Sequence, residues 1–245
     1  MVTGPRKSFG LHAFCHFFCY NCIVLIYHGS TEVIEKPVYG KGNTHNDYGL
    51  GFYCTENMEL AKEWACQKNL DGYANTYSLD LTNLSVLDLS KEPINILHWI
   101  SILMQNRTFS PKTPLGEQNL DFLVKNFPIN YKEYDVILGY RANDSYFSFA
   151  SDFLENIIPV QNLASSMKLG SLGMQVVLKS EKAFEQLQFV KSEIANKETY
   201  FSKYRERDSV ARTNYLEGLR KIKPAEATYL LDIIRNPEII DGLHL

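Results

Sequence analysis

The sequence predicts a mixed α/β (α+β) fold, and three stretches carry that expectation. A short apolar strand at residues 23–26 runs straight into Tyr27-His28-Gly29-Ser30. Twenty-one residues after His28 comes Gly49-Leu50-Gly51-Phe52-Tyr53, in which 51–55 reads as a strand that feeds a helix over 56–67. From residue 191 to 245 the pattern is helical throughout.

Taken in order, residues 1–22 form a leader, packed on the domain or loosely attached. Their apolar run at 11–26 follows Arg6 and Lys7 as a signal peptide would. It also contains His12, His16 and Asn21, and it is shorter than the roughly 20 apolar residues a membrane helix needs. Its last part is the strand that carries His28, so function is expected to start at Ile23. Residues 35–47 hold Gly40, Gly42, Asn43 and Asn46 and read as a loop. Thr55, with Glu59 nearby, is the expected N-cap of the following helix. Residues 75–81 and 85–88 alternate like short strands.

Residues 93–126 are expected to be mostly helical, broken at Pro111 and Pro114. A buried strand follows at 135–140, with a turn at 142–145, a helix at 152–158 and a connection from 160 onward. Residues 174–179 form a strand, and Ser180 and Glu181 lead into a helix at 182–189. Three parts result: a leader at 1–22, a domain at 23–190 and a helical extension at 191–245.

The chain has 245 residues, 45% of them apolar and 22% charged, enough to bury a full core. Its net charge of −3 gives no support to a nucleic-acid or membrane-surface protein. The expected location is cytoplasmic. Residues 202–223 carry seven Lys or Arg against three acids, which reads first as a solvated helix face with ion pairs. This tail is expected to serve as a cap, as a protein-binding arm, or as both. Cys15, Cys19 and Cys22 cluster with His12 and His16, but their spacing lacks the paired second half of a zinc site. The cofactor-metal expectation is therefore none. Five cysteines, an odd number, also argue against a secreted disulfide framework, and Cys54 and Cys66 read as small core residues.

The motifs exclude several chemistries. Neither a P-loop nor a G-x-G-x-x-G after a strand is present, and H-E-x-x-H and G-x-S-x-G are missing too. His45 and Asp47 lie close in a loop, a pairing that reads as incidental. What remains is His28-Gly29-Ser30 on one strand, Gly51-Phe52-Tyr53 on the next, and Trp64 eleven residues past Tyr53.

These elements resemble the ADP-ribosyltransferase superfamily, which includes diphtheria-type toxins and poly(ADP-ribose) polymerases. Within it the chain is most similar to a bacterial family catalogued as domain of unknown function 3990, through residues 27–30, 47–64, 135–146 and 173–183. The resemblance implies a pair of small, packed, mainly antiparallel sheets with flanking helices. It implies NAD as substrate and transfer of ADP-ribose to a macromolecular acceptor, protein or nucleic acid; the charge and the short apolar run give the separate expectation of no membrane partner. A toxin-like, defence or self-modifying role is the family-level analogy. Two alternatives stand beside it: NAD hydrolysis, and a non-catalytic NAD-binding or interaction module.

The implied roles fit the residue chemistry. His28 would hydrogen-bond a ribose hydroxyl, since neutral imidazole both donates and accepts. Gly29 would offer its backbone to the nicotinamide carboxamide, with Ser30 beside it. Tyr53 and Trp64 would flank the ring, whose positive charge an aromatic face favours. Cleavage passes through an oxocarbenium-like state. The superfamily's third residue, usually Glu, holds the ribose 2′-hydroxyl, and Gln175 stands at the matching place. A charge at about 4 Å is worth roughly 4 kcal/mol at an effective dielectric near 20. Its loss would slow the reaction by as much as about 10³. Asp144 is the candidate to supply that charge or to orient an acceptor, against the plainer reading of Asn143 and Asp144 as a self-bonded turn. Glu181 is a weaker candidate. The loop ending Ser171-Leu172-Gly173 offers no charged anchor for a particular acceptor.

Overall fold

The computed structural model describes residues 23–91, 93–142, 144–163 and 174–242. The 1–22 leader with its cysteine cluster, Asn143 and the loop ending at Gly173 lie outside the described residues. In chain order the elements begin with β1 (Ile23–Ser30), β2 (Phe52–Thr55), α1 (Met58–Ala65), β3 (Gly72–Asp80) and β4 (Val86–Asp88). Then come α2 (Ile96–Asn106), α3 (Pro114–Asn126), β5 (Val136–Tyr140), α4 (Asp144–Leu154) and β6 (Met174–Leu178). The last are α5 (Glu181–Glu185), β7 (Leu187–Ala195), α6 (Lys197–Lys221) and α7 (Leu230–Arg235).

The mixed α/β class is the one expected, and the pairing is antiparallel everywhere except between β4 and β5. The expected pair of sheets is corrected. The strands form one seven-stranded sheet in the order β4-β5-β6-β2-β1-β3-β7. Its middle joint is narrow, however. β1 pairs with β3 along all eight residues but meets β2 at the single register pair Tyr27 with Thr55. Beyond Tyr27 the two strands part, which leaves a split where His28 and Gly29 sit.

Several local expectations change. Leu187–Ala195 is a strand rather than the start of the helical tail, and the boundary drawn at 190 falls inside it. Its alternation was short and mixed with charge, and pairing with β3 decided the outcome. The N-cap of α1 is Asn57, whose side chain accepts from the Leu60 N–H, while Thr55 accepts from the Asn57 N–H. α1 is accordingly shorter than expected. Pro114 starts α3 instead of breaking a helix, because a first-turn proline lacks only an N–H that would be unpaired there anyway. The turn expected at 142–145 gives way to α4, which begins at Asp144. Glu181 opens α5 behind the Ser180 cap, as its sequence context suggested.

The core has two main parts, one on each face of the sheet. The larger surrounds Trp99, Leu103, Phe153 and Val177. The smaller holds Ile26, Cys54, Tyr77 and Leu178. Cys54 and Cys66 are buried and free, as expected of small core residues. The tail is tied down: α6 packs on α1 through Arg207 and Glu63, and on α4 through a Tyr215–Phe149 stack at 3.8 Å. Among the described residues no helix is long and apolar enough to cross a membrane.

Candidate functional site

Residues of a strand alternate between its two faces, and that parity separates the expected site residues. On β2, Phe52 packs against the smaller core and Tyr53 against the larger one. The His28 ring stacks on Phe52, with centroids 4.3 Å apart and planes 29° from parallel. His28 therefore lies on the Phe52 face and Tyr53 on the opposite one. The expectation that imidazole and phenol converge on one ring is corrected. What joins them is a bond through the split: His28 Nδ1 lies 2.7 Å from the Tyr53 carbonyl oxygen. A carbonyl can only accept, so Nδ1 carries the hydrogen and Nε2 is left as the ring's acceptor in the neutral form. Burial holds the imidazole below its usual pKa, against the contrary pull of that carbonyl.

Gly29 also has a packing role, beside the backbone role the resemblance implied. A Cβ there would sit 2.1 Å from the Ala61 carbonyl oxygen and 2.7 Å from the Ala65 nitrogen. The glycine lets β1 touch the backbone of α1, which places α1 and Trp64 on the Tyr53 face. Ser30 accepts from the Glu32 N–H and shapes the exit from β1. Tyr53 clamps its own loop: its hydroxyl donates to the Gly49 carbonyl at 2.6 Å and accepts from the Tyr48 N–H at 3.1 Å. Gly49 has φ +73, and a side chain there would collide with Asn106 Oδ1, so this tight loop needs glycine. Lys179 holds the same loop, donating to the Tyr48 and Leu50 carbonyls, and burial lowers its pKa to about 8.

This clamped loop delivers Asp47, the residue sequence reasoning passed over. Asp47 is buried and sits at the centre of a polar hub. Its Oδ1 meets Arg107 Nε at 3.1 Å. Its Oδ2 accepts from the Ala142 N–H at 2.8 Å and from Gln175 Nε2 at 3.3 Å. Burial raises the Asp47 pKa, while Arg107, the Ala142 N–H, Arg141 and Gln175 act in the opposite direction. Gln175 lies mid-sheet, in register with Thr55 on β2 and Gly139 on β5. Beside the hub, the Arg141 guanidinium lies 4.2 Å from the centre of the Trp64 ring. The Trp64 face expected to meet a nicotinamide thus carries a cation of the protein's own.

The structure brings together Gln175, Trp64, Asp47 and Arg141 on one side of β2, and leaves the His28 ring on the other. Asp144 is described by its backbone alone, at the start of α4; the carboxylate hydrogen-bonded to Gln175 is Asp47. Asp47 had a signal, since it opens the 47–64 stretch that carried the resemblance. Arg141 had a weaker one, inside 135–146. Among the described residues no group of three or more His, Cys, Asp or Glu could hold a metal.

Residues 24–189 match the family model described as "Protein of unknown function (DUF3990)". The chain belongs to that family. No curated protein and no solved structure matches it.

Proposed function

We propose that this DUF3990 chain binds NAD beside the β1–β2 split and transfers its ADP-ribose to a macromolecular acceptor. The bond from ribose C1′ to the nicotinamide nitrogen breaks, and its electron pair leaves with neutral nicotinamide. An acceptor nucleophile then bonds to C1′ and gives up a proton.

One observation carries the reading: the buried pair of Asp47, in the loop before β2, and Gln175, on β6, the strand beyond β2 from the split. Gln175 departs from the glutamate of the superfamily pattern, and Asp47, which accepts from the Gln175 amide at 3.3 Å, brings a carboxyl group beside it. A glutamate at 175 would set two carboxylates side by side, and like charges that close leave one of them protonated. An amide at 175 avoids that repulsion, donates to Asp47 and still offers an oxygen to a hydroxyl. The fixed His28 tautomer leaves its acceptor, Nε2, on the opposite face of the sheet, so His28 reaches this side only through its bond to the Tyr53 carbonyl.

A second reading, NAD binding without turnover, is favoured by one feature. Two guanidiniums, Arg107 and Arg141, stand near the single Asp47 carboxylate. That excess suits a phosphate better than a developing cation on ribose. The two readings part in one experiment: calorimetry of the full chain with NAD, beside nicotinamide release measured with and without a mixture of protein and nucleic-acid acceptors. Transfer predicts binding and acceptor-dependent release. Fast release without acceptor would make the protein a hydrolase, binding without release would make it a module, and no binding at millimolar NAD would remove the nucleotide reading.

A further inference from the structure

β7 is one edge of the seven-stranded sheet, and the two edges are not alike. β4, at the far end, is three residues long. β7 is nine residues long, and among the described residues the one strand paired with it is β3. An edge strand pairs on one side only, so its outer row of N–H and C=O groups is a template for another strand. Two large apolar side chains on β7 reach solvent: Val190 is 52% exposed and Ile194 is 69% exposed.

The sequence of this edge is complementary to its own reverse. Val190-Lys191-Ser192-Glu193-Ile194 reads apolar, base, small, acid, apolar about Ser192. Two copies laid antiparallel about a two-fold axis at Ser192 bring Lys191 of each opposite Glu193 of the other, and Val190 of each beside Ile194. Opposite charges facing across strands are stabilising and like charges are not. Parallel pairing in register would instead set lysine against lysine and acid against acid. A lone edge lysine repels a second strand. Here an acid accompanies it: Lys191 and Glu193 of one copy lie 2.7 Å apart, and Glu193 also meets Lys62 of α1 at 3.0 Å. The extra residue of β7 falls between the Tyr77–Phe189 and Thr76–Lys191 pairs. Residues 191–195 therefore keep unbroken register with β3 and offer a regular edge.

We propose that β7 is a self-association edge, through which two copies of this chain pair antiparallel about Ser192 into one continuous sheet. β3 lies between β7 and β1, so the β1–β2 split stays outside the contact. The proposal does not rest on the NAD reading. A contact one strand wide falls at the weak end of interface sizes, so the dimer is reversible and depends on concentration.

The test is sedimentation equilibrium of the full chain across a wide concentration range, with thermal melts of each variant in dilute solution. Wild type is expected to pass from monomer to dimer. Lys191→Glu sets acid against acid across the axis, and Glu193→Lys sets base against base. Each alone should weaken association about tenfold or more. Mixed in equal amounts, the two variants should associate again, because every facing pair is then opposite in sign. An ion pair that serves only its own copy cannot produce that recovery. Ile194→Lys, at an exposed position, should also weaken the dimer without lowering the melting temperature. It stands in where Glu193→Lys, which loses Lys62 as well, does not fold. A chain that stays monomeric at every concentration overturns the proposal. So does a dimer that Lys191→Glu and Ile194→Lys both leave unchanged, since it would lie on another face. A mixture of the two folded charge variants that stays monomeric overturns it too.

Discussion

The two faces of β2 are built from different materials. One carries Phe52 and Cys54, with Tyr77, Phe184 and the His28 ring around them; the polar contact reaching His28 there is a backbone carbonyl. The other carries Tyr53 and Thr55, beside Gln175, Asp47 and the arginines. Adjacent residues of one four-residue strand thus serve an aromatic shelf and a charged hub. The lesson is electrostatic. At His28 burial lowers the pKa against the pull of one carbonyl, while at Asp47 burial raises it and guanidiniums, an N–H and an amide oppose that rise. Among the described residues, the buried carboxylates Asp47 and Glu63 and their arginine partners lie on the second face.

The largest expected effect comes from breaking the charged face at its rim. Arg207→Ala would strand Glu63, which is 2% exposed, and should cost about 3–5 kcal/mol in chemical denaturation. Replacing both partners with leucine should recover most of that loss, since an uncompensated charge rather than a lost bond sets the cost. If the single variant is no less stable than the double, the charged-face account is wrong.

Next is the seam that sets the faces apart. Gly29→Ala would push a methyl into the backbone of α1, where neither atom can swing away. Overpacking of that kind costs about 1–3 kcal/mol, and a backbone neighbour puts it at the upper end. A melting temperature unchanged from wild type would mean that β1 and α1 are not held this close in solution.

The smallest effect distinguishes the aromatic face by pH. The folded His28 binds its proton more weakly than the unfolded residue does. Below the unfolded value, about 6.5, the unfolded chain therefore takes up a proton that the folded chain refuses. Stability should fall as the pH drops from 7.5 to 5.5, by at most about 1.4 kcal/mol per pH unit for one group. His98 is lowered by burial as well and adds to the fall. The difference between wild type and His28→Gln isolates His28. Parallel curves for the two would show that His28 titrates as it does in water.

Much of this was legible in the text of the chain because it is local. β1, β2, α1 and β6 follow from apolar runs and from the glycines and caps that bound them. The motifs they carry were enough to point to the DUF3990 family, whose model matches residues 24–189. The misreadings arose where partners are remote. β7 looked like the start of a helical tail because its pairing strand, β3, lies more than a hundred residues earlier. Asp47 looked incidental because its partners, Arg107, Ala142 and Gln175, are 60 to 128 residues away.

By itself the sequence determined which residues are chemically notable: an imidazole before a glycine, a phenol after one, and an amide on a later strand. The tertiary structure alone decided which side of the sheet each occupies. Side-chain parity is fixed by strand register, and register is a property of pairs of strands. Continuous register with β3 carried His28 onto the face of Ile26 and Phe52, and long-range docking of the 47–51 loop set the Asp47 carboxylate against Gln175.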